Sequence, residues 1–458
     1  MSGLDNADLL RMVSWLHQYN AQIAENEEGA CIEEFEEAVE ELMGQYTVQM
    51  ERQTAEWLVT IEERESELFK DGEGKFVTRD PEDMLTLVNA LVSVARDQLP
   101  PPLACRAIMA IVGELKNAQM RAEVGLEEGW KDMDVEKICA VVNDSFRMQD
   151  KCEELVDEVG NVGKESQELE DLMDNLCVGY VELAVLATKL AAGNIMTDLK
   201  EPYLDLVFTV KWEEGEELVA ISTRTMLDWF GDLNDWLPEY FFSKLVRECY
   251  EQTVKAYIEA IFKRKKSFAD TSRAAQHLVN DRIRILELFG EGDYHERLFA
   301  AGLREEGCVE KQLSVLTNVS KVLLAPYVYD CKAEITELLI EFGAVGKDAV
   351  FGIVAMRKGN TKESLKEWKS VVAGLQEGIG GRANEVNSKF DLPFRIKDEV
   401  KAMASEGVGG EEGVGGLNPF GSNSNPFGSS NGVDMATNMR EGLMNMKSKM
   451  TMTPAKKK

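Results

Sequence analysis

Along most of its length the chain places apolar residues three and four positions apart, the spacing that gathers them on one side of an α-helix. In "EKICAVVNDSFRMQDKCEELVDEV" the positions Ile138, Val141, Val142, Met148, Cys152, Leu155 and Val159 follow it. From Val309 the series Leu313, Leu316, Leu323 and Tyr327 repeats the pattern, with Ser320 as its one polar interruption. "AEWLVTIEERESELF" (55–69) and "SKLVRECYEQTVKAYIEAIF" (243–262) behave likewise. Strand-like alternation never lasts more than a few residues. Proline is missing from 1–80, 103–201, 239–325 and 327–392, stretches filled with Glu, Leu, Ala, Lys and Met. Long helices are therefore permitted wherever the periodicity asks for them. The pattern predicts an all-α fold of many antiparallel helices joined by short loops, as in stacked bundles.

Breaks in the pattern fall at "KDGEGKFVTRDPED" (70–83), "QLPPPL" (98–103), "LKEPYL" (199–204) and "WEEGEE" (212–217). Others lie around Gly290–Gly292, Gly302–Gly307 and Gly378–Gly381. Each sets Gly, Pro or clustered acid between helical segments. No sequence repeat of fixed period occurs, which argues against a consensus solenoid. Residues 1–265 are expected to form one helical bundle unit or more, and 266–400 a second. The division is placed near Phe262–Phe268, with Gly193–Pro202 as the alternative. Residues 401–458 begin with "SEGVGGEEGVGGLNPFGSNSNPFGSSNG" and read as a disordered Gly/Ser/Asn-rich tail. Near its end, Met435, Met439, Leu443, Met446 and Met450 are spaced for a short amphipathic helix. A helix of that length is marginal in water and is expected to form only on a partner.

Composition narrows the function. A chain of 458 residues with 44% hydrophobic and 29% charged residues has the balance of a soluble globular protein, with room for two or three domains. No unbroken apolar run approaches a membrane span, "AVFGIVAM" (349–356) being among the longest. The N-terminus lacks the basic and apolar regions of a secretory signal. Eight cysteines (Cys31, Cys105, Cys139, Cys152, Cys177, Cys249, Cys308 and Cys331) stand singly, which predicts buried, reduced thiols. A formal net charge of −31 argues against nucleic acid, since neutralising phosphates takes a basic face.

One stretch stands apart. "LDWFGDLNDWLPEYFFSKL" (227–245) crowds Trp229, Phe230, Trp236, Tyr240, Phe241 and Phe242 together, edged by Asp228, Asp232 and Asp235. The net charge disfavours a base-stacking surface there. An enzymatic reading puts Asp228 and Asp232, four apart on one helix face, at the mouth of an aromatic cavity holding magnesium and an allylic diphosphate. That chemistry calls for a denser aspartate motif and a second acidic site on a facing helix, and neither is evident. A solvated acidic face explains the same carboxylates. Other signatures fail too. His17, His277 and His295 form no HExxH pattern, no EF-hand loop occurs, and "GNVGKES" (160–166) has Glu158 and Glu165 where a phosphate loop needs Gly and Ser or Thr. The expectation is a protein without catalytic, metal-binding or cofactor-binding residues.

Read with its flanks, the aromatic stretch resembles the Sec-six family, exocyst complex component 3. That family shows a Phe-Thr-x-x-Trp segment, matched by Phe208, Thr209 and Trp212. Its Thr-x-x-Asp-aromatic-Phe-x-Asp helix is matched by Thr225, Asp228, Trp229, Phe230 and Asp232. Trp236, Phe241, Phe242 and Tyr257 are similar to the long helix that follows. Upstream, "GKFVTRDPEDMLTLVNALVSVAR" is similar to the family's Thr-x-x-Pro-x-Asp segment, and "EKICAVVNDSFRMQDKCEEL" to its Asn-Asp helix. The resemblance runs from about Val13 to about Val400 and corresponds to the family's C-terminal portion. The family's N-terminal coiled coil is expected to lie outside this chain, and the Gly-rich tail outside the core pattern.

The resemblance implies an elongated rod of stacked antiparallel helical bundles, a non-enzymatic subunit of the exocyst, cytoplasmic and peripheral at plasma-membrane sites of secretion, where secretory vesicles are tethered before fusion. It implies other exocyst subunits as partners, and SNARE proteins beside them. It also turns the aromatic stretch into structure: Arg224–Leu233 would end one helix, Pro238 would open the next, and the rings would pack the corner between them. Two short motifs add partners of their own. Lys263, Arg264, Lys265 and Lys266 are four cations able to hold a phosphoinositide headgroup, or equally a favourable charge at a helix C-terminus. Asn418-Pro419-Phe420 and Asn425-Pro426-Phe427 each favour a type I turn that presents Phe outward. Each looks like the tripeptide bound by EH (Eps-homology) domains of endocytic adaptors. A helical trafficking scaffold outside the exocyst, recruiting such adaptors by its tail, is the alternative function.

Overall fold

A computed structural model describes residues 5–26, 33–163, 166–264, 266–301, 308–343 and 346–379. The chain divides into Met1–Val408 and Gly409–Lys458, and every described residue belongs to the first unit. Among the described residues the chain is all-α. The first half holds α1 (Asn6–Asn26), α2 (Glu33–Glu63), α3 (Asp80–Gln98), α4 (Pro101–Gly129), α5 (Val135–Gly163) and α6 (Gln167–Lys200). A short α7 (Val210–Glu214) leads to α8 (Leu218–Trp236), α9 (Glu239–Lys263), α10 (Thr271–Phe289) and α11 (Gly292–Ala300). The series closes with α12 (Cys308–Leu324), α13 (Lys332–Phe342), α14 (Gly346–Ala355) and α15 (Lys362–Ile379).

Local chemistry explains most of the boundaries. Pro100, Pro101 and Pro102 stop α3 and start α4, because proline fits the first helical turn and no later one. Pro81 enters the first turn of α3, whose Asp80 and Asp83 both pair with Arg64 at 2.6 Å. Asp270 caps α10, accepting from the Ser272 and Arg273 amides at 3.0 and 3.1 Å. Gly215, at φ +100°, ends α7 in the left-handed conformation that favours glycine.

Packing passes from helix to helix along the chain. The α5–α6 pair makes the largest interface, α4 lies on α2, α3 and α6, and α1 closes over α2. From α6 the contacts run to α9, then to α11 and α14, while α8 lies on α10, α10 on α12, and α12 on α13. One continuous buried cluster results, from Leu9 to Ile379. Its tightest crossing is at Gly179, where a methyl group would sit 2.3 Å from the Gln119 side chain. Glycine lets α6 approach α4 closely enough for Gln119 to donate to the Leu176 carbonyl at 3.0 Å.

Several sequence expectations change. The run 55–69 is helical only to Glu63, and Phe69–Lys70 pairs with Phe76–Val77 as a two-stranded antiparallel hairpin. Asp71 drives that turn, accepting from the Glu73 and Lys75 amides at 2.9 and 3.0 Å. Tyr327 does not continue its helix: α12 stops at Leu324 before Pro326, and the ring is 67% exposed. Gly193 lies inside α6, where a methyl group would sit 3.4 Å from the Trp130 ring, and the helix runs on to Lys200. Charged residues interrupt α6, yet it is the one described helix long and apolar enough to cross a membrane. Half of its most apolar stretch is buried inside the protein, where it packs on α4, α5 and α9 as a core helix.

The hairpin is fastened to α5 by two adjacent side chains. Asn143 donates to the Phe76 carbonyl at 2.8 Å and to the Trp236 carbonyl at 2.9 Å. Asp144 accepts from the Thr78 amide at 3.0 Å and the Thr78 hydroxyl at 2.7 Å. Burial pushes the Asp144 carboxyl up to about 7, against the lowering pull of Thr78. The unfolded group titrates near 4. The folded chain therefore binds the extra proton between those values, and stability falls as pH rises from about 4 to about 7. Chemical denaturation across that range should show a shallower fall for Asp144→Asn than for the wild type. Equal slopes would remove Asp144 as the source.

Candidate functional site

Two junctions gather the side chains that stood out in the sequence. At the first, α8 meets α9. Phe230, Phe241 and Phe242 are buried, and Trp229, Trp236 and Tyr240 are half-buried against the core. Phe230 packs on Phe242 and on Phe289 of α10, both with ring centres 6.1 Å away, and on Tyr294 of α11 at 5.1 Å. Phe241 meets Phe146 of α5 at 5.7 Å, and Trp236 meets Phe76 of the hairpin at 5.0 Å. The rings thus join six elements at one corner, each burying a large area for its length. α8 runs past Leu233 to Trp236, and Pro238 stands just before α9 rather than in its first turn. Asp228, Asp232 and Asp235 are exposed on the far side.

At the second junction α7 is held between α9 and α10. Trp212 donates from Nε1 to Asp281 Oδ2 at 2.8 Å, and the Tyr257 hydroxyl donates to the same oxygen. Burial raises the Asp281 carboxyl above the ordinary carboxylate range, opposed by those two donors. Burial likewise holds the Tyr257 phenol well above its usual value. Phe208 stacks on Trp212 with ring centres 4.9 Å apart. Its φ of +65° is the only left-handed backbone outside glycine among the described residues. Arg264 secures it by donating to the Phe208 carbonyl. The same guanidinium donates to the Ser267 carbonyl at 3.1 Å, pairs with Glu213 and lies 4.0 Å over the Phe268 ring. The side chains of Arg264 and Glu213 are only 10% and 9% exposed.

The basic run is accordingly split. Arg264 is turned inward, Lys263 pairs with Glu259 at 3.2 Å, Lys266 is exposed, and Lys265 lies outside the described residues. Asn418, Pro419, Phe420, Asn425, Pro426 and Phe427 also lie outside them, as does the Met435–Met450 segment.

Reactive groups do not converge. Among the described residues no cluster of three or more His, Cys, Asp or Glu side chains has metal-binding geometry. Burial raises the Cys139, Cys152 and Cys249 thiols and pushes Cys331 up to about 11, so none is poised as a thiolate. A cleft of about 390 Å³ opens beside α7, with Trp212, Glu217, His277, Asp281 and Arg284 in its wall. His277 leans on Trp212 there, ring centres 5.3 Å apart.

Residues that carried the family resemblance lie at both junctions, Trp229, Phe230, Trp236, Phe241 and Phe242 at the first and Phe208, Trp212 and Tyr257 at the second, while Thr78, Asn143 and Asp144 fasten the hairpin to α5. Residues 1–362 match the family model described as exocyst complex component Sec6. The chain belongs to the Sec6 family. Its fold is similar to the crystal structure of the C-terminal domain of the exocyst subunit Sec6p, at 17% identity and a TM-score of 0.61, over 80% of this chain and 98% of that one. It is also similar to the crystal structure of M-Sec, at 13% identity and a TM-score of 0.53. That second match covers 81% of this chain and 64% of M-Sec, just under two thirds of its length. Many of the residues quoted for the Sec6 family resemblance thus hold helices together, while Asp228 and Asp232 face solvent.

Removing Arg264 tests the second junction. Arg264→Ala leaves Glu213 buried without its partner and should lower stability by about 3–5 kcal/mol, the usual loss when one half of a buried pair is deleted. Lys263→Ala with Lys266→Ala, both on exposed side chains, should leave the denaturation midpoint unchanged. Equal stabilities of the two variants would show that the Arg264 contacts carry no load.

Proposed function

We propose that this Sec6 family member acts as a non-enzymatic subunit of the exocyst, equivalent to the C-terminal portion of exocyst complex component 3. In this reading it helps dock secretory vesicles at the plasma membrane through protein contacts alone. It works in the cytoplasm, peripheral to membrane sites of secretion, with other exocyst subunits and SNARE proteins as partners. The family match over residues 1–362 carries the proposal. The all-helical fold supports it, with buried polar side chains such as Asn143, Trp212 and Arg264 joining one helix to the next. We also propose that the bundle units divide near Phe262–Phe268. There α9 ends, and the Phe268 amide donates to the Met356 carbonyl at 2.7 Å.

The pair of Asn-Pro-Phe motifs favours one further partner class, the EH domains of endocytic adaptors. Two copies seven residues apart would raise avidity toward a protein with two such domains. Affinity purification of the full chain from native extract, with and without Phe420→Ala and Phe427→Ala, tests both ideas together. Other exocyst subunits should be recovered equally by both forms, and EH-domain adaptors by the wild type alone. Adaptors without exocyst subunits would replace the tethering role with that of a separate trafficking scaffold. Exocyst subunits without adaptors would leave the tail as a linker.

The basic run supplies a weaker membrane contact, a phosphoinositide headgroup held by Lys263, Lys265 and Lys266. Each cation near an anionic surface contributes about 1 kcal/mol, and the net charge of −31 opposes it. Sedimentation with phosphoinositide-containing liposomes should fall when Lys263 and Lys266 are both changed to alanine. Arg264 must be kept, since its loss would unfold the junction and mimic the same result. Unchanged sedimentation removes the lipid role.

A further inference from the structure

The first helix has two apolar faces, and among the described residues only one of them is covered. Leu9, Leu10 and Val13 are buried against α2 and its neighbours. Met12, Trp15 and Tyr19, spaced three and four apart, form a second stripe that is 39%, 60% and 42% exposed. Trp15 and Tyr19 stack with ring centres 5.3 Å apart, and Tyr19 meets Phe35 of α2 edge-on at 5.6 Å. A helix apolar on both sides is a helix packed on both sides. Methionine and large aromatics are also the residues that concentrate at the centres of protein interfaces.

The surroundings of the stripe are acidic. Residues 1–51 contain twelve Asp and Glu against a single basic side chain other than histidine, Arg11, which sits 3.6 Å from Asp8. Glu34, Glu36 and Glu37 are all exposed and flank Phe35, where the aromatic cluster meets α2. An anionic membrane is repelled by such a rim. A second copy of this chain would set the same carboxylates against each other across a two-fold axis. The spacing of the stripe suits the ridge of a facing helix.

We infer that the outer face of α1 is a docking surface for a helix of another protein chain, one that carries a stripe of apolar residues flanked by Lys or Arg. The identity of that chain as an exocyst subunit rests on the function proposed above, while the chemistry of the surface does not. The aromatic stripe supplies the buried centre of the interface and the glutamates its charged rim. Complementary charge at the rim speeds encounter and selects the partner.

A photoreactive benzoylphenylalanine placed at Trp15 of the full chain, irradiated in cells, reads the occupant directly, with Lys366 as an exposed control position. The adduct at 15 should map to a segment of another chain with helical apolar spacing and flanking Lys or Arg. Trp15→Ser with Tyr19→Ser should reduce recovery of that chain at least tenfold while leaving the denaturation midpoint in place. Adducts within this chain or to a second copy would overturn the inference. So would exocyst subunits that co-purify with no adduct at 15, an outcome that leaves the family function standing. An adduct to a basic-flanked helix from outside the exocyst would support the surface and count against the proposed assembly.

Discussion

A fold made of many helices has many helix ends, and the last carbonyls of each helix have no partner within it. An end left in solvent is satisfied by water, whereas an end buried against a neighbour needs a donor from the protein. Here that need is met by long polar side chains reaching from other helices. Asn143 serves the Trp236 carbonyl at the end of α8, and Asn194 the Met133 carbonyl after α4 at 3.1 Å. Arg247 donates to the Ala301 carbonyl beyond α11 at 2.9 Å, and Arg357 to the Ala325 carbonyl beyond α12. Arg264 serves linking segments instead, donating to the Phe208 carbonyl ahead of α7 and the Ser267 carbonyl ahead of α10. Apolar packing supplies the driving force along every helix face, but it is non-directional. These donors decide which end meets which neighbour.

The Arg264–Glu213 pair shows why such groups persist inside. Two charges taken out of water lose several kcal/mol of solvation each, and their attraction offsets that loss only when every remaining donor and acceptor is filled. Here the Glu213 carboxylate takes Arg264 on one oxygen and the Ala269 amide on the other, at 2.8 Å. Arg264 spends its other donors on backbone carbonyls and rests its plane on Phe268. The net stabilisation of such a cluster is small, but its directional demand is large. It ties α7, the end of α9 and the segment leading into α10 into one arrangement, and it tolerates the left-handed turn at Phe208 that puts the ring onto Trp212.

Periodicity made the helices legible, and proline and glycine made most of their ends legible. The aromatic corner was also readable, since six rings on a helix–proline–helix stretch have few other uses. What escaped was long-range pairing. A Lys-Arg-Lys-Lys run looks uniform in sequence, yet Arg264 is interior while Lys266 is exposed, because the partner Glu213 lies 51 positions away. Asp144 and Thr78 are 66 apart, and nothing local in either marks the bond between them. The hairpin was hidden for another reason: with two residues per strand it has no alternation to detect, and it is ordered by Asp71 and by docking on α5. The exposed stripe on α1 was overlooked because Met12, Trp15 and Tyr19 have the same three-and-four spacing as a core face. Spacing identifies a face as apolar without saying whether the chain itself covers it.

The same division of labour separates fold from function in this chain. Carboxylates that suggested metal chemistry, Asp228 and Asp232, are on the solvent side of a helix whose Phe230 faces the core. Of the carboxyl groups that burial perturbs, Asp144 accepts from Thr78 on both oxygens, and Asp281 takes Trp212 and Tyr257 on the same oxygen, Oδ2. A perturbed acid inside a satisfied network is a structural element rather than a poised base, because its proton affinity is set by partners that also hold the backbone. Networks of that kind hold the shape of the fold. Partners meet the outside of the helices, and there a net charge of −31 acts as a filter. Against that field, an exposed tryptophan and tyrosine on α1 discriminate among partners only after the charge has admitted the basic ones.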